Sequence, residues 1–354
     1  MNDARAIDGD GHLMELMGTT LPDHLEEPYL SRSRADRAMW DGVGATFPWL
    51  PSDCWDRNLG SELFKGRGNR PEDWLEQLER GPLDAAVLYP SFLLLIGAAY
   101  DPDWSIALCR AFNQWVAEEF VAKGEGRLHC VGVLPPQDPD EAAKELVHVH
   151  DLGLVAAMIP ADGPHLLGSS RFDVVWRAAE ANDMPVAVHA AGTHLSGHGA
   201  FPKFIQTHTF NHPASVLAQF TSMMFDGVFT RFPDLRVAFL EVGATWVPWY
   251  VDRMDEEFEM RGAAEAPALT AKPSEIVKPG GNVFFGLESD ERLLGATLEL
   301  IGDTAMYASD WPHWDNEYPG SLRRIFERAD LTDEMRADVL ARAAERFYGR
   351  SLVP

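Results

Sequence analysis

The sequence predicts a closed (β/α)8 barrel of the TIM type, and three observations carry that expectation. Eight short, almost wholly apolar runs recur along the 354 residues, which is how parallel strands buried on both faces read. Stretches of helical length and amphipathic period separate them. Acids and imidazoles sit where several of the runs end, and that is the end at which parallel barrels keep their chemistry. An open doubly wound sheet is the alternative. However, the first run leads into DGDGHLME, which lacks the glycine-rich phosphate turn of such folds.

In chain order the expected strands are Ala4–Ile7, Ala85–Tyr89, Cys130–Leu134, Val155–Ile159, Val186–Val188, Val237–Leu240, Val283–Phe285 and Ala305–Tyr307. The expected helices include Trp104–Lys123, Pro139–His150, Arg171–Asn182, Pro213–Arg231, Thr245–Arg261 and Arg292–Ile301. A closing helix over Thr332–Tyr348 takes Thr332 as its cap and stops at Gly349. Residues 17–68 show no period and are rich in Trp, Pro, Asp and Arg. Long irregular segments of this kind serve as covers, and this one leaves the end of strand one, so it is expected to fold over the catalytic face. No repeat or internal boundary appears, so residues 1–354 are read as a single barrel domain with 17–68 as a lid-like insertion.

Hydrophobic residues make up 46% of the chain, enough for a large core, and the formal net charge is -25. With no basic patch, nucleic acid and anionic membrane surfaces are not expected partners. Cys54, Cys109 and Cys130 are few and lack metal or disulfide spacing, which fits a reducing cytoplasm. The N-terminus shows no signal-peptide pattern, and the longest apolar run, Phe92–Ala99, is too short to span a bilayer.

The strand ends carry the functional signal. Strand one leads into Asp10 and His12, strand five into His189, strand six into Glu241, strand seven towards Glu288 and strand eight into Asp310. Residues i and i+2 of an extended segment point the same way, so Asp10 and His12 can grip one ion. His189 and Asp310 complete a set of two imidazoles and two carboxylates, which suits Zn²⁺ foremost, or Mn²⁺ or Fe²⁺. The pair His148 and His150 looks more like a chelate but falls in a helix, where i and i+2 diverge, so it is read as structural. His194 and His198 lie on the loop after strand five. His208 and His212 come just before a helix expected to start at Pro213. His212 is expected at that helix N-terminus, where the dipole keeps an imidazole neutral.

The stretches DGDGHLMEL, PVAVHAAG, GVFTRFPDLRVAFLEVGATWVPWYVDRMDEEFE and YASDWPHWD resemble the amidohydrolase superfamily. The similarity is to the amidohydrolase-related branch (amidohydrolase 2) that holds aminocarboxymuconate semialdehyde decarboxylase and the dihydroxybenzoate decarboxylases. The resemblance implies one divalent metal ion on Asp10, His12, His189 and Asp310, with Asp310 also handling protons. It implies a homodimer acting on a small molecule. The implied reaction is non-oxidative decarboxylation, or related carbon–carbon cleavage, of a small aromatic or unsaturated carboxylic acid. Hydrolysis of an amide, ester or lactone by a metal-activated water is the alternative. Members of the branch carry a catalytic His at the end of strand six, where this chain has Glu241. Glu241 is then either a catalytic acid, with His212 supplying the imidazole, or a structural acid paired with Arg253 or capping the helix near Thr245. Glu15, His194 and His313 are expected against the substrate or behind the ligands.

Overall fold

A computed structural model describes residues 5–15, 20–33, 68–191, 201, 203–313 and 315–354. Each apolar run forms a parallel strand, and the strands lie in the order of the chain. They are β1 (Ile7–Leu13), β2 (Ala85–Pro90), β3 (Leu128–Val133), β4 (Ala156–Pro160), β5 (Val186–His189), β6 (Val237–Leu240), β7 (Val283–Leu287) and β8 (Ala305–Tyr307). Nearly every strand residue is buried, because the helices cover the outer face while side chains fill the interior.

The main helices are α1 (Pro71–Arg80), α2 (Pro102–Val116), α3 (Pro139–Asp151), α4 (Asp173–Ala181), α5 (Phe204–Phe225), α6 (Val247–Glu265), α7 (Leu294–Ile301) and α8 (Gly320–Glu327). Several open as their sequences dictate. Asp101 and Asp138 accept backbone N–H groups at the starts of α2 and α3, each followed by proline at the first helical position. The closing helix begins as α9 (Asp333–Ala337), passes through a π turn at Asp338–Arg342 and ends as Ala343–Tyr348. Thr332 caps it, accepting from Met335 N at 3.1 Å, and Gly349 ends it at a φ of 68°.

Most elements keep their expected place with ends shifted by a few residues, and two depart further. β1 spans Ile7–Leu13 instead of Ala4–Ile7, so Asp8, Asp10 and His12 lie within the strand. Polar side chains obscured the strand in the sequence, yet all three are buried, Asp8 and His12 bonded to neighbouring strands and Asp10 facing His189. The helix expected from Pro213 begins at Phe204, with Pro213 in its interior. An interior proline costs a helix one N–H bond, and here the helix continues past it.

Of the expected cover, residues 20–33 and Gly68 fall within the described residues. Leu21–His24 forms a 3₁₀ turn, and Arg32 stacks over Trp104 of α2 at 4.6 Å. The remainder of 17–68 lies outside the described residues. Among the described residues no helix is long and apolar enough to cross a membrane.

β1 runs against α1 at a point with no room to spare. A Cβ placed on Gly11 falls 2.3 Å from Trp74 Cη2, and the Trp74 indole donates to His12 O at 2.9 Å. Gly11→Ala is therefore expected to lower unfolding stability by about 1–3 kcal/mol, as measured by denaturant titration. Wild-type stability in the variant would contradict this packing.

Candidate metal centre

Asp10 and His12 on β1, His189 at the end of β5 and Asp310 just beyond β8 meet at the carboxyl-terminal mouth. His12 Nε2 lies 3.6 Å from Asp10 Oδ1 and 3.2 Å from Asp310 Oδ1, and His189 Nε2 lies 3.4 Å from Asp10 Oδ1. Both imidazoles are anchored through the other nitrogen: His12 Nδ1 to Pro90 O and His189 Nδ1 to Ala190 O, each at 2.9 Å. A carbonyl partner requires a proton on Nδ1, so each Nε2 presents its lone pair to the mouth. Metal-binding histidines are held this way.

The donor chemistry fits a divalent ion. Asp10 Oδ1, His12 Nε2 and His189 Nε2 are buried and make no hydrogen bond, and orphaned buried polar atoms are costly unless something binds them. Two donor atoms about 2.1 Å from one ion sit roughly 3.0–3.4 Å apart, close to the separations seen. Asp10, His12 and His189 form one group of potential ligands, and His12, Glu241, Asp310 and His313 form an overlapping one.

Glu241 faces this mouth. Its carboxylate lies 3.3 Å from His189 Nδ1, 3.4 Å from His313 Nδ1 and 4.0 Å from His212 Nδ1. The structural roles open to it are filled by others. Arg253 pairs with Glu256 and Glu257, and Glu291 accepts the N–H groups of Ala244 and Thr245. Burial raises the Glu241 carboxyl, but the His189, His313 and His212 rings outweigh it and hold the group well below the usual carboxylate range. Glu241 and Asp310 both adopt left-handed backbone, with φ of 63° and 56°. Such strain in residues other than glycine concentrates at functional sites.

His313 stacks on His12 with ring centroids 3.9 Å apart. Ser91 Oγ donates to Leu13 O at 3.0 Å, so at 2.9 Å it receives the Nε2 proton of His313. His313 Nδ1 then faces Asp310 Oδ1 at 2.7 Å and Glu241 Oε1 at 3.4 Å. Burial pushes Asp310 well above the usual range. Against burial, Asp310 and Glu241 push His313 up. The two groups face each other at 2.7 Å, although Asp310 Oδ1 makes no hydrogen bond.

Glu15 is fully buried and meets no arginine among the described residues. It accepts Ser91 N at 2.9 Å and Leu93 N at 2.5 Å, and so braces the turn that carries Ser91 and Pro90. Burial pushes its carboxyl up to about 7.

His212 lies inside α5, which corrects the expected N-terminal placement. Its ring is held down to about 3 first by burial, not by a helix dipole. His208, one turn earlier, lies against it at 3.9 Å between centroids. His194 and His198 lie outside the described residues. His148 and His150 sit in the last turn of α3 and belong to neither ligand group. Sequence reasoning passed over Asp8, although it continues the i, i+2 alternation of Asp10 and His12. It also passed over Ser91, which carries no sequence signal.

A parallel eight-stranded barrel with mixed imidazole and carboxylate donors at its mouth is the plan of a metal-dependent barrel enzyme. The amidohydrolase family model matches residues 7–350, and the chain belongs to that family. It is 26% identical over 312 residues to the 2-amino-3-carboxymuconate-6-semialdehyde decarboxylase of Dictyostelium discoideum, covering 86% of this chain and 80% of that protein. It is 27% identical over 231 residues to the gamma-resorcylate decarboxylase of Rhodococcus jostii, covering 59% of this chain and 67% of that one. An amidohydrolase from Mycobacterium avium subsp. paratuberculosis superposes with a TM-score of 0.77 at 19% identity, covering 99% of this chain and all of that one. The manganese-bound 5-carboxyvanillate decarboxylase of Novosphingobium aromaticivorans superposes at 0.74 and 17% identity, covering 98% and 97%.

His189→Ala is expected to lower divalent-metal content, read by elemental analysis, from about one equivalent to about a tenth or less; unchanged content would remove His189 from the ligand set. Glu15→Gln turns an amide NH₂ towards a backbone N–H and is expected to cost about 1–3 kcal/mol. The folded-state pKa of Glu15 is raised, from 4.5 to about 7, so its contribution is complete at low pH and lost as pH rises through that window. The stability gap between wild type and Glu15→Gln should therefore be widest near pH 4.5 and narrow towards pH 7. A constant gap in unfolding experiments across that range would contradict the burial of Glu15.

Proposed function

We propose that the protein is a metal-dependent, non-oxidative decarboxylase of a small aromatic or unsaturated carboxylic acid. The observation that carries this reading is the close approach of Asp310 and His313 beside the ligand set, two titratable groups 2.7 Å apart that can hand a proton to carbon as CO₂ leaves. The decarboxylases among the curated relatives support it. A bound divalent ion would supply positive charge to hold the substrate oxygens and stabilise the charge left on them. Asp10, His12, His189 and Asp310 would hold it. Zn²⁺ and Mn²⁺ both suit these donors, and manganese is present in solved 5-carboxyvanillate and dihydroxybenzoic acid decarboxylases.

The chain's own groups do the remaining work. The C–C bond breaks with its electron pair left on the ring or vinyl carbon. That carbon takes a proton from the Asp310–His313 pair. Glu241 keeps a negative charge beside His313 and so favours its reprotonation. His212, neutral at physiological pH, lines the wall next to Glu241, His208 and Arg324 in a cavity of about 360 Å³. We further infer a cytoplasmic homodimer, in line with the cysteine content and the family resemblance; light scattering of the purified protein tests the dimer.

The metal-loaded protein is expected to release CO₂ from hydroxybenzoates and to leave aryl amides and lactones intact. Turnover of the second set alone would replace decarboxylation with hydrolysis. Asp310→Asn should lower kcat by about 10²–10⁴-fold, because the amide cannot pass a proton, while circular dichroism stays unchanged. Retained activity would move the proton-handling role elsewhere.

A further inference from the structure

Asp8 belongs to neither ligand group, yet it is fully buried two residues before Asp10. Each consecutive pair from β1–β2 to β7–β8 is joined by a parallel ladder, but β8 and β1 share none among the described residues. The barrel therefore closes at this seam by other means. Both of its sides carry ligands, Asp10 and His12 on one and Asp310 on the other.

Asp8 makes the connection. Its Oδ1 accepts Ser309 N at 3.0 Å and Asp10 N at 3.3 Å, and its Oδ2 accepts the Ser309 hydroxyl. Ser309 Oγ in turn accepts Trp311 N at 3.0 Å. Two backbone bonds follow on: Asp310 N donates to Asp10 O at 3.2 Å, and His12 N donates to Trp311 O at 2.8 Å. One carboxylate thus reaches the residue just before Asp310, the residue just after it through Ser309, and the N–H of Asp10. Two further features point to a local demand on the backbone. The β1–β2 register shifts between Asp8 and Gly11, and Asp310 is held in left-handed backbone. Bulges recur beside active sites, where they re-aim side chains.

We propose that Asp8 is a positioning residue for the metal centre. With Ser309 it clamps the β8–β1 seam and sets the separation of Asp310 from Asp10 and His12. The proposal rests on the metal reading of those residues. Without the clamp, Asp310 is free to leave its left-handed conformation, and the 3.2 Å approach of Asp310 to His12 is no longer enforced. Asn in place of Asp8 keeps an oxygen for the two N–H groups and offers an NH₂ to Ser309 Oγ, so the clamp survives. Ala removes it.

The test is the Mn²⁺ dissociation constant of the full chain, measured by competition with a chelator, beside the unfolding temperature without added metal. Asp8→Ala is expected to weaken Mn²⁺ binding about 10–100-fold, the range for residues that orient metal ligands. It should also change the Mn²⁺ electron paramagnetic resonance line shape. Asp8→Asn should recover most of the affinity. Ser309→Ala removes only the hydroxyl and carries the same expectation should Asp8→Ala not fold, and the double substitution should fall short of the sum of the two. If Asp8→Ala and Ser309→Ala lower only the unfolding temperature and bind Mn²⁺ as the unsubstituted protein does, the positioning role is wrong. If the unsubstituted protein takes up neither Mn²⁺ nor Zn²⁺, the metal reading fails, and the clamp proposal with it.

Discussion

The structure depends on keeping several acids and imidazoles out of water and within a few ångströms of one another. Asp10, His12 and His189 are almost wholly buried, and Glu241, Asp310 and His313 nearly so. Charges in such a place are tolerated only when paired or bound to an ion. The barrel meets part of that demand by anchoring the far side of each histidine to the backbone. Pro90 O holds His12 and Ala190 O holds His189, and the Leu13 carbonyl holds His313 through Ser91. The free ends have nowhere to point but inward.

A second layer fixes those anchors. Glu15 holds the turn after β2, from which Pro90 and Ser91 reach the two histidines. Asp8 and Ser309 hold the seam between β8 and β1. Tyr348, from the closing helix, donates to Gly9 O at 2.7 Å and meets Tyr89 at 2.8 Å, which ties the C-terminal helix into the same strand. Buried polar networks of this kind rigidify a site when every member is satisfied. Within this network the atoms left without a hydrogen bond are Asp10 Oδ1, His12 Nε2, His189 Nε2, Glu241 Oε2 and Asp310 Oδ1, at its centre.

Glu241 shows how position alters what a residue can do. A carboxylate at the end of β6 stands among three imidazoles and stays ionised despite burial. It therefore supports a charged histidine better than it donates a proton. The left-handed backbone at Glu241 and Asp310 costs of order 1–3 kcal/mol per residue. In exchange, both carboxylates turn into the mouth just beyond the ends of β6 and β8.

The sequence by itself determined the barrel, because eight apolar runs of strand length separated by amphipathic helices leave few other ways to bury both faces of a sheet. It also determined which side chains end those strands, and hence that Asp10, His12, His189 and Asp310 gather at one mouth. Local chemistry sufficed for Thr332, Gly349 and the start of α3 at Pro139, where the deciding bonds lie within a few residues. The tertiary structure alone decided the rest. The true extent of β1 was hidden because its polar residues face groups on strands distant in sequence. Pro213 reads as a helix start, and only the finished fold shows α5 running through it. The surroundings of Glu241, His313 and Asp8 were undecided until folding brought β6, β8 and β1 together. Their partners lie tens to hundreds of residues away, and no local pattern encodes a hydrogen bond made across a barrel.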